Sequence, residues 1–133
     1  PSIRPVDGGR MSDIFGYRVD PFTEKRRHHD GLDIAARHGT EVFATADGTV
    51  ELAKSSYRPG SSYGKEVVIN HGDGVKTRYA HLSKVSVKRG QKVKRSDVIG
   101  LVGSTGRSTG PHLHYEVISK KKNVNPLSYI VYK

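Results

Sequence analysis

The sequence predicts a mainly β domain, an antiparallel β-sandwich or partly open barrel of short strands with long loops flanking a groove. Three observations carry that expectation. Six apolar, β-branched runs recur along the chain, most of them cut off by glycine-containing turns. Helix signal is almost absent. The length of 133 residues, 34% of them hydrophobic, fits one domain with one core.

The candidate strands are Glu41–Ala46, Gly48–Lys54, Lys65–Asn70, Val75–His81, Asp97–Val102 and Leu113–Ser119. Asp47-Gly48 reads as a tight turn between the first two. Gly72-Asp73-Gly74 reads as the hairpin turn between the third and fourth. Within Val75–His81, alternation puts Val75, Thr77, Tyr79 and His81 on one face. Tyr79 reads there as core or cleft wall. One short helical turn fits Arg10–Phe15, and another can start at Pro126-Leu127-Ser128-Tyr129. Ser55–Gly64 and Gly103–Gly110 read as long exposed loops. Both are rich in Gly and Ser and offer little large apolar side chain to bury, so they are expected to wall the groove. Gly103–Gly110 lacks the lysine of a phosphate loop, and a strand follows it, which argues against phosphate binding.

The net charge is +10, with local clusters at Lys25-Arg26-Arg27 and Lys120-Lys121-Lys122. Such a charge can be a solvated surface or an attraction to a polyanion. No aromatic ladder for stacking bases accompanies it, so the charge does not make the chain a nucleic-acid binder. No apolar run is long enough to span a membrane. The absence of cysteine excludes disulfides and thiolate ligands. The chain starts with Pro, and no signal peptide is present. It therefore reads as one domain, residues 1–133 with a core at about 15–126, cut from a longer protein.

Four histidines and an aspartate form the chemical signal. His29 and Asp33 stand four apart in HHDGLD. Gly31 between them argues against a helix, and on an extended strand both side chains would share a face, with Leu32 and Ile34 turned to the core. His112 and His114 in PHLHYE share one face of a strand. His81 ends the strand that carries Tyr79. Three residues from such sets can hold one zinc ion and leave its fourth position to water. His28 has no carboxylate four residues on, and His38 and His71 have turn-like neighbours. These three read as surface or structural residues.

In order, the segments FGYR, HHDGLDIA, GTEVFATADGTVELA, YGKEVVINHGDGVKTRYAHLS, GQKVKRSDVIGLVGSTGRSTGPHLHYEV and NP closely resemble the catalytic domain of the lysostaphin-like zinc metallopeptidases. The resemblance runs from about Phe15 to Pro126. It implies an enzyme that cuts peptide cross-links of bacterial peptidoglycan. One zinc ion would be bound by His29, Asp33 and His114, with His81 and His112 as the catalytic pair that handles protons. It also implies an exported protein, periplasmic or associated with the cell wall, with any signal, anchor or inhibitory segment upstream of this chain. No wall-binding module follows the core, which favours a D-alanyl–diamino acid bridge over a glycyl-glycine bridge as substrate. The alternatives are a non-catalytic wall-binding or activator module, and a basic nucleic-acid-binding β-domain.

Overall fold

Successive side chains point to opposite faces of a strand, and the longest strands are buried over consecutive residues, so both of their faces are largely covered. The computed structural model describes residues 1–19, 26–108 and 110–131, leaving aside the side chains of residues 17–19, 26 and 27. In chain order the strands are β1 Arg10–Asp13, β2 Gly16–Val19, β3 Arg26–His29, β4 Leu32–Ala35, β5 Glu41–Phe43, β6 Gly48–Lys54, β7 Lys65–Gly72, β8 Val75–Val85, β9 Lys92–Val93, β10 Val98–Val102, β11 His112–Ser119 and β12 Lys122–Val124. A 3₁₀ turn at Pro126–Ser128 is the only helical element among the described residues. The Asn125 side chain caps it by accepting from the Leu127 N–H.

Ten strands form one open antiparallel sheet, with β1-β4-β11-β8-β7-β6-β9 as its spatial order. β10 and β5 branch off β8, β12 lies against β11, and β2 with β3 forms a separate ribbon. The expected class, mainly β and antiparallel, is the observed one. β8 makes the branch possible. Its first part pairs with β11 through Val75–Ala80, and its end pairs with β10 through Leu82–Val85. The exchange of partners falls at His81.

The core lies on one face of the long sheet. Leu113, Tyr115 and Val117 of β11, Leu32 and Ile34 of β4, and Val67 and Ile69 of β7 are buried there. Val42 and Ala44 at β5, and Ile99 and Val102 of β10, close over them in the same cluster. Tyr79 and Tyr115 are fully buried with ring centroids 5.3 Å apart. The Thr45 hydroxyl lies 3.0 Å from the Tyr79 hydroxyl and 2.8 Å from that of Tyr115. Two buried phenols thereby find the partners that burial demands. Tyr79 is therefore core and not cleft wall.

Several sequence expectations need correction. Arg10–Phe15 is not a helical turn: Arg10–Asp13 is β1, with Arg10 opposite Ala35 and Met11 opposite Ile34. The open edge of β4 offers ladder partners, and Met11 packs on the core; both outweigh a weak local preference. The chain does bend at Thr45–Asp47, but the strands on either side are not partners: β5 pairs with β10 while β6 pairs with β7 and β9. Asp47 instead ties distant segments. Its carboxylate accepts from the Arg95 N–H, and its carbonyl accepts from His71. The hairpin at Gly72-Asp73-Gly74 is present, with β8 running on to Val85, beyond its expected end at His81.

Candidate metal centre

The face of the sheet opposite the core carries the chemistry. His112 and His114 of β11 project there, two residues apart, as the HLH spacing requires. Register places Asp33 of β4 directly opposite His114. His29 closes β3, on the small ribbon. His29 and Asp33 are thus not on one continuous strand: Asp30 and Gly31 separate β3 from β4. Gly31 is required by close approach, since a Cβ there would lie 2.9 Å from Glu116 Cγ and 3.1 Å from His114 Cε1. Leu32 and Ile34 do enter the core.

His81 arrives by a different device. Plain alternation would send it to the core beside Tyr79. Instead the β7–β8 pairing shifts register between Lys65↔Leu82 and Val67↔Tyr79, and His81 has φ +61°. This bulge turns the side chain to the other face, as bulges near functional sites commonly do. The His81 ring then lies 4.7 Å from that of His112 and 6.0 Å from that of His114, centroid to centroid. All five residues singled out from sequence therefore meet in one place.

Ligand atoms of His29, Asp33 and His114 lie within 4.8 Å of one another. His29 Nε2 is 3.3 Å from Asp33 Oδ2, and His114 Nδ1 is 2.8 Å from Asp33 Oδ1. Tetrahedral zinc with bonds of about 2.0–2.1 Å spaces its ligand atoms by about 3.3 Å. Small side-chain shifts would bring all three atoms onto one ion. Two imidazoles and a carboxylate also form a donor set that suits zinc.

The surrounding hydrogen bonds orient each ring. His29 Nδ1–H donates to the Ile14 carbonyl at 2.9 Å, His81 Nδ1–H to that of Thr105 at 2.7 Å, and His112 Nδ1–H to that of Gly110 at 2.9 Å. A carbonyl can only accept, so each of these rings keeps Nε2 for other work. His112 Nε2 lies 3.9 Å from Asp33 Oδ1. His114 differs: its Nδ1 faces Asp33, and its Nε2 lies 2.8 Å from Glu116 Oε2.

The site is electrostatically tuned by burial and by its own charges. Burial disfavours an ionised Asp33, but hydrogen bonds from His114 and His29 win and hold its carboxyl well below the usual range. Burial likewise opposes an imidazolium at His114, and the two flanking carboxylates override it, raising its pKa to about 9. A hydrogen bond to Asp33 raises His29. His81 goes the other way, pushed down chiefly by burial. Glu116, 1% exposed, is held down at about 2 because hydrogen bonds from His114 and Tyr63 outweigh its burial.

Glu116, Tyr63, Arg78 and Asn123 were not singled out from sequence. Glu116 had a visible signal, since it continues the 112, 114 alternation. Tyr63 had none, because it sits inside a stretch that reads as loop. The loops also depart from expectation at their bases. Ser55–Gly60 is exposed, but Gly64 is buried against Thr105 and Gly106. Thr109 lies outside the described residues, as do Lys25 and the side chains of Arg26 and Arg27 in the basic cluster. His28 is exposed and pairs with Asp30 at 2.9 Å, His38 is exposed, and His71 is partly buried.

Comparison with known proteins agrees with this fold. The model of peptidase family M23 matches residues 27–126. The peptidoglycan DD-endopeptidase ShyA of Vibrio cholerae is 46% identical over 125 residues, covering 92% of this chain and 28% of that protein. A crystal structure described as a zinc containing peptidase from Vibrio cholerae superimposes with a TM-score of 0.83 at 41% identity, over 93% of this chain and 38% of that one. The catalytic domain of the antimicrobial peptidase lysostaphin from Staphylococcus simulans does so with a TM-score of 0.76 at 31% identity, over 91% of each chain. The chain spans less than a third of the length of the curated relatives that it matches first. The family match over residues 27–126, together with this fold, makes the chain a member of peptidase family M23.

Proposed function

We propose that this domain is a zinc-dependent endopeptidase that hydrolyses peptide cross-links of bacterial peptidoglycan. The observation that carries the reading is the convergence of His29, Asp33, His81, His112 and His114 from separate segments onto one face. His29, Asp33 and His114 would hold the ion. When bound, zinc would supply a Lewis acid and an acidified water. The chain's own residues do the rest. Carbonyl-anchored His81 and His112 present Nε2 side by side, where one can take a proton from the attacking water. One or both, when protonated, can donate to the developing oxyanion. Asp33 and the second nitrogen contacts of His29 and His114 fix the geometry in advance.

The finer substrate reading is a D-alanyl–diamino acid bridge in preference to a glycyl-glycine bridge. The name of the Vibrio relative, a DD-endopeptidase, supports it. Peptidoglycan lies outside the cytoplasmic membrane, so the reading also implies export to the periplasm or cell wall. No helix among the described residues is long and apolar enough to cross a membrane.

The test is digestion of purified walls of both cross-link types, with mass analysis of the fragments and zinc content measured beside it. His81→Ala and His112→Ala should retain zinc and lose about 10²–10⁴-fold in rate. Asp33→Ala should lose both zinc and rate. Near-normal turnover by His81→Ala would reduce His81 to a structural residue. Equal cleavage of both walls would remove the bridge preference.

A further inference from the structure

We propose that Glu116 is a positioning residue for His114, fixing which ring nitrogen faces the metal, and that Tyr63 locks Glu116 in that role. The inference rests on the reading of His114 as a zinc ligand.

A neutral imidazole offers one lone pair, and the other nitrogen must carry the proton. His29 has this settled by the Ile14 carbonyl. His114 does not, because carboxylates lie 2.8 Å from both of its nitrogens. Only one of the two belongs to the group of converging ligand atoms, and that is Asp33. Glu116 is occupied instead as an acceptor. Its Oε2 accepts from the Tyr63 hydroxyl at 2.7 Å as well as facing His114 Nε2. Its Oε1 accepts from Arg78 Nη1 at 3.1 Å and from Asn123 Nδ2 at 3.0 Å. These four donors come from β11, the segment before β7, β8 and β12, so four parts of the fold hold one carboxylate. A carboxylate filled in this way cannot swing to the ion. It can only accept, which places the His114 proton on Nε2 and leaves Nδ1 for the metal. Hydrogen-bonded outer partners of this kind set both ring orientation and ligand basicity.

Tyr63 adds a second connection. Its ring lies tilted against His114 with centroids 5.9 Å apart, and the Arg78 guanidinium sits over the Tyr63 ring, 4.5 Å from its centroid. Its carbonyl accepts from the His81 N–H at 2.8 Å. One residue before β7 therefore touches the supports of both a ligand and a proton-handling histidine. Arg78 has a further carboxylate, Glu66, at 3.4 Å, so it is not stranded when Glu116 is changed.

The test compares wild type, Glu116→Gln, Tyr63→Phe and His114→Ala. Zinc affinity is measured by competition with a chromogenic chelator, the fold by a thermal melt of the metal-free protein, and the His114 tautomer by long-range ¹H–¹⁵N spectra of the zinc-loaded form. Wild type should show His114 protonated on Nε2. Glu116→Gln should bind zinc about 10–100-fold more weakly. Tyr63→Phe keeps the ring and should bind more weakly by a smaller factor, with its metal-free melt unchanged; it decides the matter if Glu116→Gln fails to fold. His114→Ala should lose zinc. Wild-type zinc affinity in both Glu116→Gln and Tyr63→Phe, or a wild-type His114 protonated on Nδ1, overturns this inference alone. A wild type that takes up no zinc overturns the ligand assignment with it.

Discussion

His81 shows how much one dihedral angle decides. A non-glycine residue at φ +61° is disfavoured, by roughly 1–2 kcal/mol. The strain persists because the ring is anchored to the Thr105 carbonyl and the backbone N–H to Tyr63. His81→Ala loses the anchor and keeps the strained backbone, while His81→Gly loses the anchor and relieves the strain. We expect the glycine variant to be the more stable of the two by about 1 kcal/mol, with both nearly inactive on walls. Urea unfolding of the pair checks this, and equal midpoints would mean that the backbone here is not strained. The place of His81 beside His112 and His114 was legible in the sequence from the company it keeps. Its direction was not, because strand alternation sends position 81 into the core and a bulge is not encoded in any local residue pattern.

Elements were legible in proportion to their length. Gly48–Lys54 was read with its observed bounds, and Lys65–Gly72 and His112–Ser119 nearly so. The short strands β1 and β2 were missed, and the junction of β3 with β4 was read as one extended stretch, since four residues of mixed polarity give too little period to recognise. Yet β3 and β4 deliver His29 and Asp33. The loops teach a related lesson. Composition suggested two exposed loops flanking the groove, but Gly64, at φ +66°, sits so close to Thr105 and Gly106 that the two bases are one packed unit beside His81. Gly64→Ala would face both a left-handed backbone and a collision with that backbone. We expect it to lower the melting temperature and to cut wall hydrolysis at least tenfold. Replacing only Ser55–Ser62 by a short glycine linker should spare fold and zinc while changing which cross-links are cut. Product analysis on both wall types, beside a melt, distinguishes these outcomes; an unchanged product pattern removes the loop as a selectivity element.

For the whole molecule, acid stability should depend on a histidine remote from the candidate metal centre. His71 donates Nδ1–H to the Asp47 carbonyl at 2.7 Å, and its Nε2 lies 2.7 Å from the Thr77 hydroxyl. The Thr77 hydroxyl lies in turn 2.8 Å from that of buried Tyr79. Burial pushes the His71 pKa below its ordinary value of 6.5. The unfolded chain therefore takes up this proton at a higher pH than the folded one. Between the two values the unfolded state binds more protons, so stability falls as pH falls, and the contribution is complete above 6.5. Urea unfolding at pH 7 and pH 5 should show a smaller acid loss for His71→Gln than for wild type. Identical losses would show that His71 titrates alike in both states.

The two-residue period of β11 has an evolutionary consequence. Residues 113, 115 and 117 build the interior, while 112, 114 and 116 hold the working face. Inheritance can therefore act on the two sets almost separately. A lineage can retain its core and lose one histidine, drifting from hydrolase to binding module without passing through an unfolded ancestor. It can equally reshape the exposed rim for a new cross-link while the strand beneath stays the same. In a domain arranged in this way, changing what it does rarely threatens whether it folds.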